Sequence, residues 1–138
     1  MSRAQKTSQA TREHRIEKWL GELLTAYLNR QAPTGTAAQK AHFDATQQVD
    51  DLAFHDPETF WQFLEVALAS EASAEDLGDI GWGPLTWLLR YYPDDFVERV
   101  EGLSRRDDRM RRLVASVEHD RVAPDIWRRL EIAIDGAT

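Results

Sequence analysis

Four titratable side chains close together in the sequence offer the first opportunity for chemistry. Asp50, Asp51, His55 and Asp56 combine carboxylates with an imidazole, and Asp51 and His55 stand four residues apart, on one face of a helix. Such side chains are metal ligands, so the group is compatible with a small metal-dependent hydrolase. A zinc site needs three or four defined ligands, however, and no second histidine stands at ligand spacing. The alternative interpretation is a solvated helix end.

Other catalytic signals are missing from the sequence. The glycines within residues 78–83 resemble a phosphate-binding loop, but they follow a predicted short helix rather than a strand, and Asp76 and Asp79 would repel phosphate. The absence of cysteine excludes disulfides, thiolate metal sites and cysteine nucleophiles. We therefore expect a protein without catalytic residues, without a bound metal and without a cofactor.

Trp82 is the residue best placed to contact a partner. It stands between two glycines directly before Pro84, where it could project as the kind of aromatic anchor that dominates interface energies. More often a tryptophan in such a position folds back to cover a helix junction, and that is the favoured interpretation. The first interpretation predicts an aromatic centre with an acidic rim. The candidate partner-binding residues are Trp82, Glu75, Asp76, Asp79, Asp94 and Asp95.

The net charge of −7 is unevenly distributed along the chain. Residues 1–40 carry seven basic and three acidic side chains, residues 41–101 carry two basic and fourteen acidic, and residues 102–138 carry eight and seven. The acidic middle repels polyanions and attracts basic surfaces. We therefore expect the partner to be another protein, with a basic surface as the chemically matched kind, and not a nucleic acid or a membrane. The oligomeric state is left open.

A basic cluster over residues 105–112 is the one segment suited to phosphate. Arg105, Arg109 and Arg112 would share a helix face, which could meet phosphates or an acidic partner. The favoured alternative is internal pairing, because two aspartates in the cluster stand four residues before arginines. No aromatic residue is interleaved with the arginines to stack on bases.

Hydrophobic periodicity predicts helices throughout. A proline followed by an acidic residue and large apolar side chains occurs at Pro57, Pro93 and Pro124, and this pattern is typical of a helix start. No segment alternates over more than four residues, so a sheet is not expected. The predicted fold is all-α, with seven or eight helices in a bundle or a short, HEAT-like α-repeat. Predicted helices cover about residues 8–31, 37–54, 57–70 and 74–80, with further helices beginning at Pro84, Pro93 and Pro124 and one around residues 110–117.

The chain is long enough for one core and too short for two substantial ones, with 138 residues of which 42% are hydrophobic. We predict a flexible N-terminal tail over residues 1–10 and a single helical domain over residues 11–135. The N-terminal segment lacks the apolar stretch of a secretion signal, and no stretch approaches the length of a membrane span. We therefore expect a cytoplasmic protein.

Residues 55–134 resemble a family of small bacterial helical domains of unknown function. The resemblance is carried by Asp56-Pro57 with Trp61, the Gly83-Pro84-Leu85 turn before Leu88-Leu89, residues 96–101, Arg105-Arg106-Asp107, and Pro124 with Trp127. That family usually places an acidic residue after its Gly-Pro-Leu, where this chain has Thr86, so no role for that carboxylate is carried over. The resemblance implies the helical fold and leaves function open.

Three hypotheses follow for the function. The first is a non-enzymatic protein-interaction module that binds through its acidic surface, one version of which is an immunity-type inhibitor of a basic toxin. The second is the small metal-dependent hydrolase built on residues 50–56. The third is a structural accessory domain that associates with itself through apolar surface. The first is the function that the sequence favours.

Overall fold

The computed structural model describes the backbone of residues 3–135 and the side chains of residues 9–135. Within these residues the chain forms eight α-helices and no strand, in agreement with the predicted all-α fold. The helices are α1 (Arg3–Leu28), α2 (Ala37–His55), α3 (Pro57–Ala69), α4 (Ala74–Ile80), α5 (Thr86–Tyr91), α6 (Pro93–Arg106), α7 (Asp108–Ala115) and α8 (Pro124–Asp135). A π-helical turn, Gly81–Leu85, joins α4 to α5, and a 3₁₀ turn, His119–Arg121, precedes α8.

The predicted helix starts are confirmed where proline or a capping side chain marks them. Pro57, Pro93 and Pro124 are each the first residue of a helix. Ser73 accepts a hydrogen bond from the Asp76 amide at 3.1 Å and caps α4, as its position in the sequence indicates. These local devices satisfy amides that the first helical turn cannot bond internally.

The N-terminal boundary differs from the prediction. Helix α1 begins at Arg3 rather than near Ser8, so residues 3–10, predicted as part of a tail, are helical, while Met1 and Ser2 lie outside the described residues. The segment contains alanine, glutamine, lysine and arginine and no glycine or proline, a composition that favours helix. The predicted flexibility of residues 1–10 stays a prediction.

The Gly81-Trp82-Gly83 segment does not interrupt the helix as predicted. The chain continues through the π-helical turn, and Pro84 lies inside it rather than at a new start. Thr86 stabilises the turn because its buried hydroxyl donates to the Gly81 carbonyl at 2.9 Å and accepts from the Glu118 amide at 3.0 Å. A π-helical turn absorbs the proline without ending the helix, and such turns are often found at functional sites.

The helices pack as a bundle around one core. Helices α1, α2 and α3 contact one another, and α2 also contacts α5 and the π-helical turn. On the other side, α6 packs against α5, α7 and α8, and α7 packs against α4. The core contains large side chains that are almost fully buried, including Phe60, Phe63 and Phe96. Within residues 3–135, no helix combines the length and the apolar character required to cross a bilayer.

Three arginines of the cluster have partners within the protein. The predicted helix face shared by Arg105, Arg109 and Arg112 is wrong, because α6 ends at Arg106 and α7 begins at Asp108. Arg109 donates to the backbone carbonyls of Leu68 at 2.8 Å and Ser70 at 2.6 Å and also to that of Ala72, so it holds the segment that follows α3. Arg112 lies 3.5 Å from Asp108, the ion pair that the sequence predicts. The other predicted pair, Asp107 with Arg111, is wrong. Asp107 instead caps α7 by accepting from backbone amides, and Arg111 bonds Asp108 at 3.0 Å.

Candidate binding cleft

Trp82 lies on the surface. Its relative exposure is 62%, so the interpretation in which it folds back over a helix junction is not what the structure shows. Gly81, the residue before Trp82 in the π-helical turn, lies against the backbone of α7, where an added Cβ would come within 2.0 Å of the Leu113 carbonyl oxygen. The turn is therefore fixed to α7 by close backbone contact at Gly81, while Trp82 projects from the chain.

The three predicted acidic residues on α4 gather around one arginine, Arg30, in the turn that follows α1. Arg30 lies 3.0 Å from Asp79, 3.4 Å from Asp76 and 3.5 Å from Glu75. All four side chains are partly or largely open to solvent, so each ion pair adds little stability. Three carboxylates against one guanidinium leave two negative charges unmatched here.

Asp94 and Asp95, predicted to share this rim, begin α6 and do not line the cleft described below. Asp95 lies beside a different ion pair, in which Arg99 bonds the Glu58 carboxylate through two hydrogen bonds of 2.8 Å. The Glu58 carboxylate is the main cause of a raised pKa of Arg99, and Asp95 adds to it. Of the predicted acidic residues, Asp79 thus lines one cleft with Trp82, Glu75 and Asp76 pair with Arg30 beside it, and Asp95 lies near the start of α3.

A cleft of about 230 Å³ opens beside Trp82, where α1, α2, the end of α4 and the π-helical turn meet. It is lined by Tyr27, Arg30, His42, Thr46, Asp50, Asp79, Trp82, Gly83 and Pro84. Helix α2 supplies three of these side chains at intervals of four residues, which places His42, Thr46 and Asp50 along one helix face. The cleft thus combines polar groups from α1, α2 and α4 with an exposed indole.

Two of the polar groups on α2 are hydrogen-bond acceptors. His42 Nδ1 lies 3.1 Å from the Ala26 carbonyl, which can only accept, so Nδ1 carries the proton in the neutral ring and Nε2 is left as an acceptor. The Thr46 hydroxyl donates to the Phe43 carbonyl at 2.8 Å, so its lone pairs also remain. These groups add to the carboxylates of Asp50 and Asp79.

Asp50 and Tyr27 are the chemically unusual members of the cleft. Burial raises the pKa of the Asp50 carboxyl, and the adjacent Asp51 raises it further. Burial also raises the pKa of the Tyr27 hydroxyl, with the carboxylates of Asp79 and Asp50 as additional causes, so this hydroxyl lies near both. Among the described residues, neither the Asp50 carboxylate nor the Tyr27 hydroxyl has a hydrogen-bond or ion-pair partner. Tyr27 is only 7% exposed, but its hydroxyl oxygen is not fully enclosed, since Ser104 Oγ is the one fully buried side-chain oxygen or nitrogen without a hydrogen-bond partner among the described residues.

The Asp50→Asn substitution should stabilise the protein at neutral pH. Asp50 adjoins Asp51 on its own helix and shares the cleft with Asp79, Tyr27, His42 and Arg30, and the guanidinium of Arg30 is already paired with Asp79. A carboxyl whose pKa is higher in the folded than in the unfolded state lowers the free energy of unfolding as the pH rises through the folded pKa. The variant should therefore melt at a higher temperature than the wild type at neutral pH, and the difference should vanish at about pH 3, below the ordinary pKa of aspartate. A variant that melts earlier at neutral pH would show that the carboxylate has a stabilising partner.

The residues of the hydrolase hypothesis have separate environments. Asp50 lines the cleft, whereas Asp51 and His55 are exposed. Asp56 caps α3, since its carboxylate accepts hydrogen bonds from the Thr59 hydroxyl at 2.7 Å and from the Thr59 amide at 3.4 Å. Within the described part of the chain, no group of three or more histidine, aspartate or glutamate side chains is arranged to hold a metal ion.

A larger groove of about 370 Å³ runs between α1 and α3. Exposed Glu13, Glu17 and Glu65 line it together with Ile16 and Leu20. The cleft beside Trp82 is the stronger candidate because it combines an exposed indole with the unpartnered hydroxyl of the largely buried Tyr27 and a half-buried unpaired carboxylate.

Sequence reasoning had singled out Trp82, Asp79 and, for a different purpose, Asp50, but it missed the rest of this cleft. The four-residue spacing of His42, Thr46 and Asp50 was the available signal for a polar face on α2. Nothing in the sequence indicated that Tyr27 would contribute its hydroxyl, because its ring fits the apolar stripe of α1 and packs edge-on against Phe63 at 5.8 Å between ring centroids.

The fold and the cleft together define a small all-α domain with an aromatic-rimmed, acceptor-rich depression. The model of a family of unknown function, DUF6869, matches residues 32–138, and the chain belongs to that family. This match begins before the 55–134 resemblance and takes in all of α2, the helix that supplies His42, Thr46 and Asp50. No curated protein and no solved structure matches the chain.

Proposed function

We propose that this protein is a non-enzymatic protein-interaction module that binds a basic surface of its partner around Trp82. The observation that carries the proposal is the exposure of Trp82 on a turn that is fixed to α7 at Gly81. A tryptophan held in this way loses little conformational freedom on binding and offers a large contact area, the properties of an interface hot spot.

The charges around Trp82 favour a basic partner. Asp79 and Asp50 line the same cleft as the indole, and Glu75 and Asp76 are connected to Asp79 through Arg30. Lysine and arginine side chains pair with carboxylates and stack on indole faces, so one basic segment could use both kinds of group. An inhibitor of a basic toxin is the more specific version of this proposal, and identification of the partner decides it. Bacterial origin and a cytoplasmic location, both expected from the sequence, belong to the same proposal.

The Trp82→Ala variant should bind the partner protein much more weakly than the wild type does. Wild type and variant would serve as baits in lysate of the source cell, with retained proteins identified and the purified partner titrated by calorimetry. We expect a basic protein that elutes as salt is raised and binds the variant about thirtyfold more weakly, the effect of losing a hot-spot tryptophan.

Ile132→Ala is the matched control for this experiment. Ile132 on α8 is 64% exposed, as apolar surface unrelated to the cleft, and its truncation should change the dissociation constant by less than about twofold. A partner that binds Trp82→Ala as tightly as the wild type, or that is retained at high salt, would contradict the proposal.

A further inference from the structure

The free polar groups of the cleft are all able to accept hydrogen bonds. The Asp50 carboxylate is unpaired, and the Thr46 hydroxyl and His42 Nε2 retain lone pairs because their protons are committed to backbone carbonyls. The Tyr27 hydroxyl, without a partner among the described residues, can also accept. A cleft rich in acceptors and negative charge is complementary to a ligand that supplies several N–H donors and positive charge.

The volume of the cleft limits what such a ligand can be. At about 230 Å³ it is smaller than the roughly 300–1,000 Å³ of pockets that enclose drug-sized molecules, and it suits a single long side chain. Arg30 gives an internal precedent for the chemistry, because its guanidinium already bonds Asp79 at the edge of the cleft at 3.0 Å. The indole of Trp82 borders the same space and could cover the apolar stem of an inserted side chain.

We infer that the cleft receives one lysine or arginine side chain of the protein partner, with its cationic group against Asp50 and Tyr27 and its stem beside Trp82. The inference rests on the proposed function, which it deepens by naming the anchor and its counter-charge. It gives Asp50 and Tyr27 a reason to remain unpaired in the free protein, since both acquire partners in the complex. Stability is lost at this site so that a cation can be bound, as is common at functional sites.

The first test uses defined peptides. The ¹⁵N-labelled protein would be titrated with acetylated, amidated Gly-Arg-Gly and Gly-Lys-Gly, and with Gly-citrulline-Gly, which keeps the shape of arginine without its charge. We expect the cationic peptides to shift the Trp82 indole N–H signal and the amide signals of residues 42–50, and the citrulline peptide to leave them unchanged. Equal shifts with the citrulline peptide would overturn the inference.

The second test uses paired carboxylate variants. Asp50→Asn should weaken binding of the better cationic peptide at least about tenfold, the cost of losing hydrogen bonds to a charged group. Asp51→Asn removes the neighbouring exposed carboxylate, which does not line the cleft, and should change binding less than about twofold. If both variants lost the same affinity for the peptide, the effect would come from the net charge of the protein and not from Asp50, which would contradict a specific site. Spermidine serves as a probe for a free polyamine, and tighter binding of spermidine than of the peptides would overturn the assignment to a protein side chain.

The same variants separate this inference from the proposed function. If Trp82→Ala failed to bind the purified partner while Asp50→Asn bound it normally, the proposed interaction surface would be supported. The inference that the cleft receives a cationic side chain would be refuted. Retention of the partner by both variants would refute both. Loss with both, while Asp51→Asn and Ile132→Ala bind normally, is the result that we expect.

Discussion

The Gly81→Ala substitution should destabilise the protein by about 4 kcal/mol, near the upper end for single substitutions. A Cβ at this position would lie 2.0 Å from the Leu113 carbonyl oxygen and 3.0 Å from its carbon. These are backbone atoms inside α7, so a change of side-chain rotamer cannot relieve the overlap and the two helices must separate. Overpacking of this kind opens neighbouring contacts in the core. Thermal unfolding should shift down by more than about 10 °C for a chain of this size.

Gly83→Ala is the matched control, because it flanks the same tryptophan in the same turn and a Cβ there meets nothing within 4 Å. The helix preference of alanine over glycine, about 1 kcal/mol, is opposed by the contact of a Cβ with the ring of the following Pro84, so this variant should change the free energy of unfolding by less than about 1 kcal/mol. If Gly81→Ala melted within a few degrees of Gly83→Ala, the close approach of the turn to α7 would be disproved.

The Arg109→Met substitution should cost about 3 kcal/mol of folding free energy. The guanidinium donates to the carbonyls of Leu68, Ser70 and Ala72, so one side chain satisfies the end of α3 and the segment that leads to α4. Methionine keeps most of the apolar stem but has no donor, and the partly buried carbonyls would be left unsatisfied. Chemical denaturation would measure the loss from the midpoint at unchanged slope.

Arg112→Met provides the comparison on the same helix. Arg112 is mostly exposed and its ion pair with Asp108 is 3.5 Å long, so we expect a loss below about 1 kcal/mol. Arg109→Lys adds a second comparison, because an ammonium keeps the charge but not the planar fork and should recover only part of the stability. Equal losses for the methionine variants at positions 109 and 112 would show that Arg109 has no special structural role.

The sequence predicted local structure well where a single residue type is enough to mark the start of a helix. Proline fits the first position of a helix and serine the position before it, which is why the beginnings of α3, α4, α6 and α8 were predicted correctly. The turn around Trp82 was predicted incorrectly for the same reason. Two glycines and a proline indicate a break when considered locally, but the fit of Gly81 against α7 and the hydrogen bonds of Thr86 keep the chain helical there.

The candidate site was only partly predictable. Trp82 and the acidic residues of α4 were identified from residue type and charge, and the structure places Asp79 in one cleft with Trp82, while Glu75 and Asp76 pair with Arg30. Asp94 and Asp95 were added because they follow closely in sequence, yet the bundle places them at the start of α6, where Asp95 lies beside the Glu58–Arg99 pair. Proximity along a chain of helices predicts spatial proximity poorly, since each helix carries the next start to the opposite end of the bundle.

By itself the sequence determined the all-α class, most helix boundaries, the acidic surface and the exclusion of cysteine chemistry, because these depend on composition, periodicity and capping within a few residues. Tertiary structure alone decided which polar groups would share a cleft and which would find partners. Tyr27 and Asp50 lie on different helices, and Asp79 on a third, so their environment exists only after α1, α2 and α4 pack together. Burial, which raises the pKa of Asp50, and the lack of a partner for Tyr27 are products of that packing.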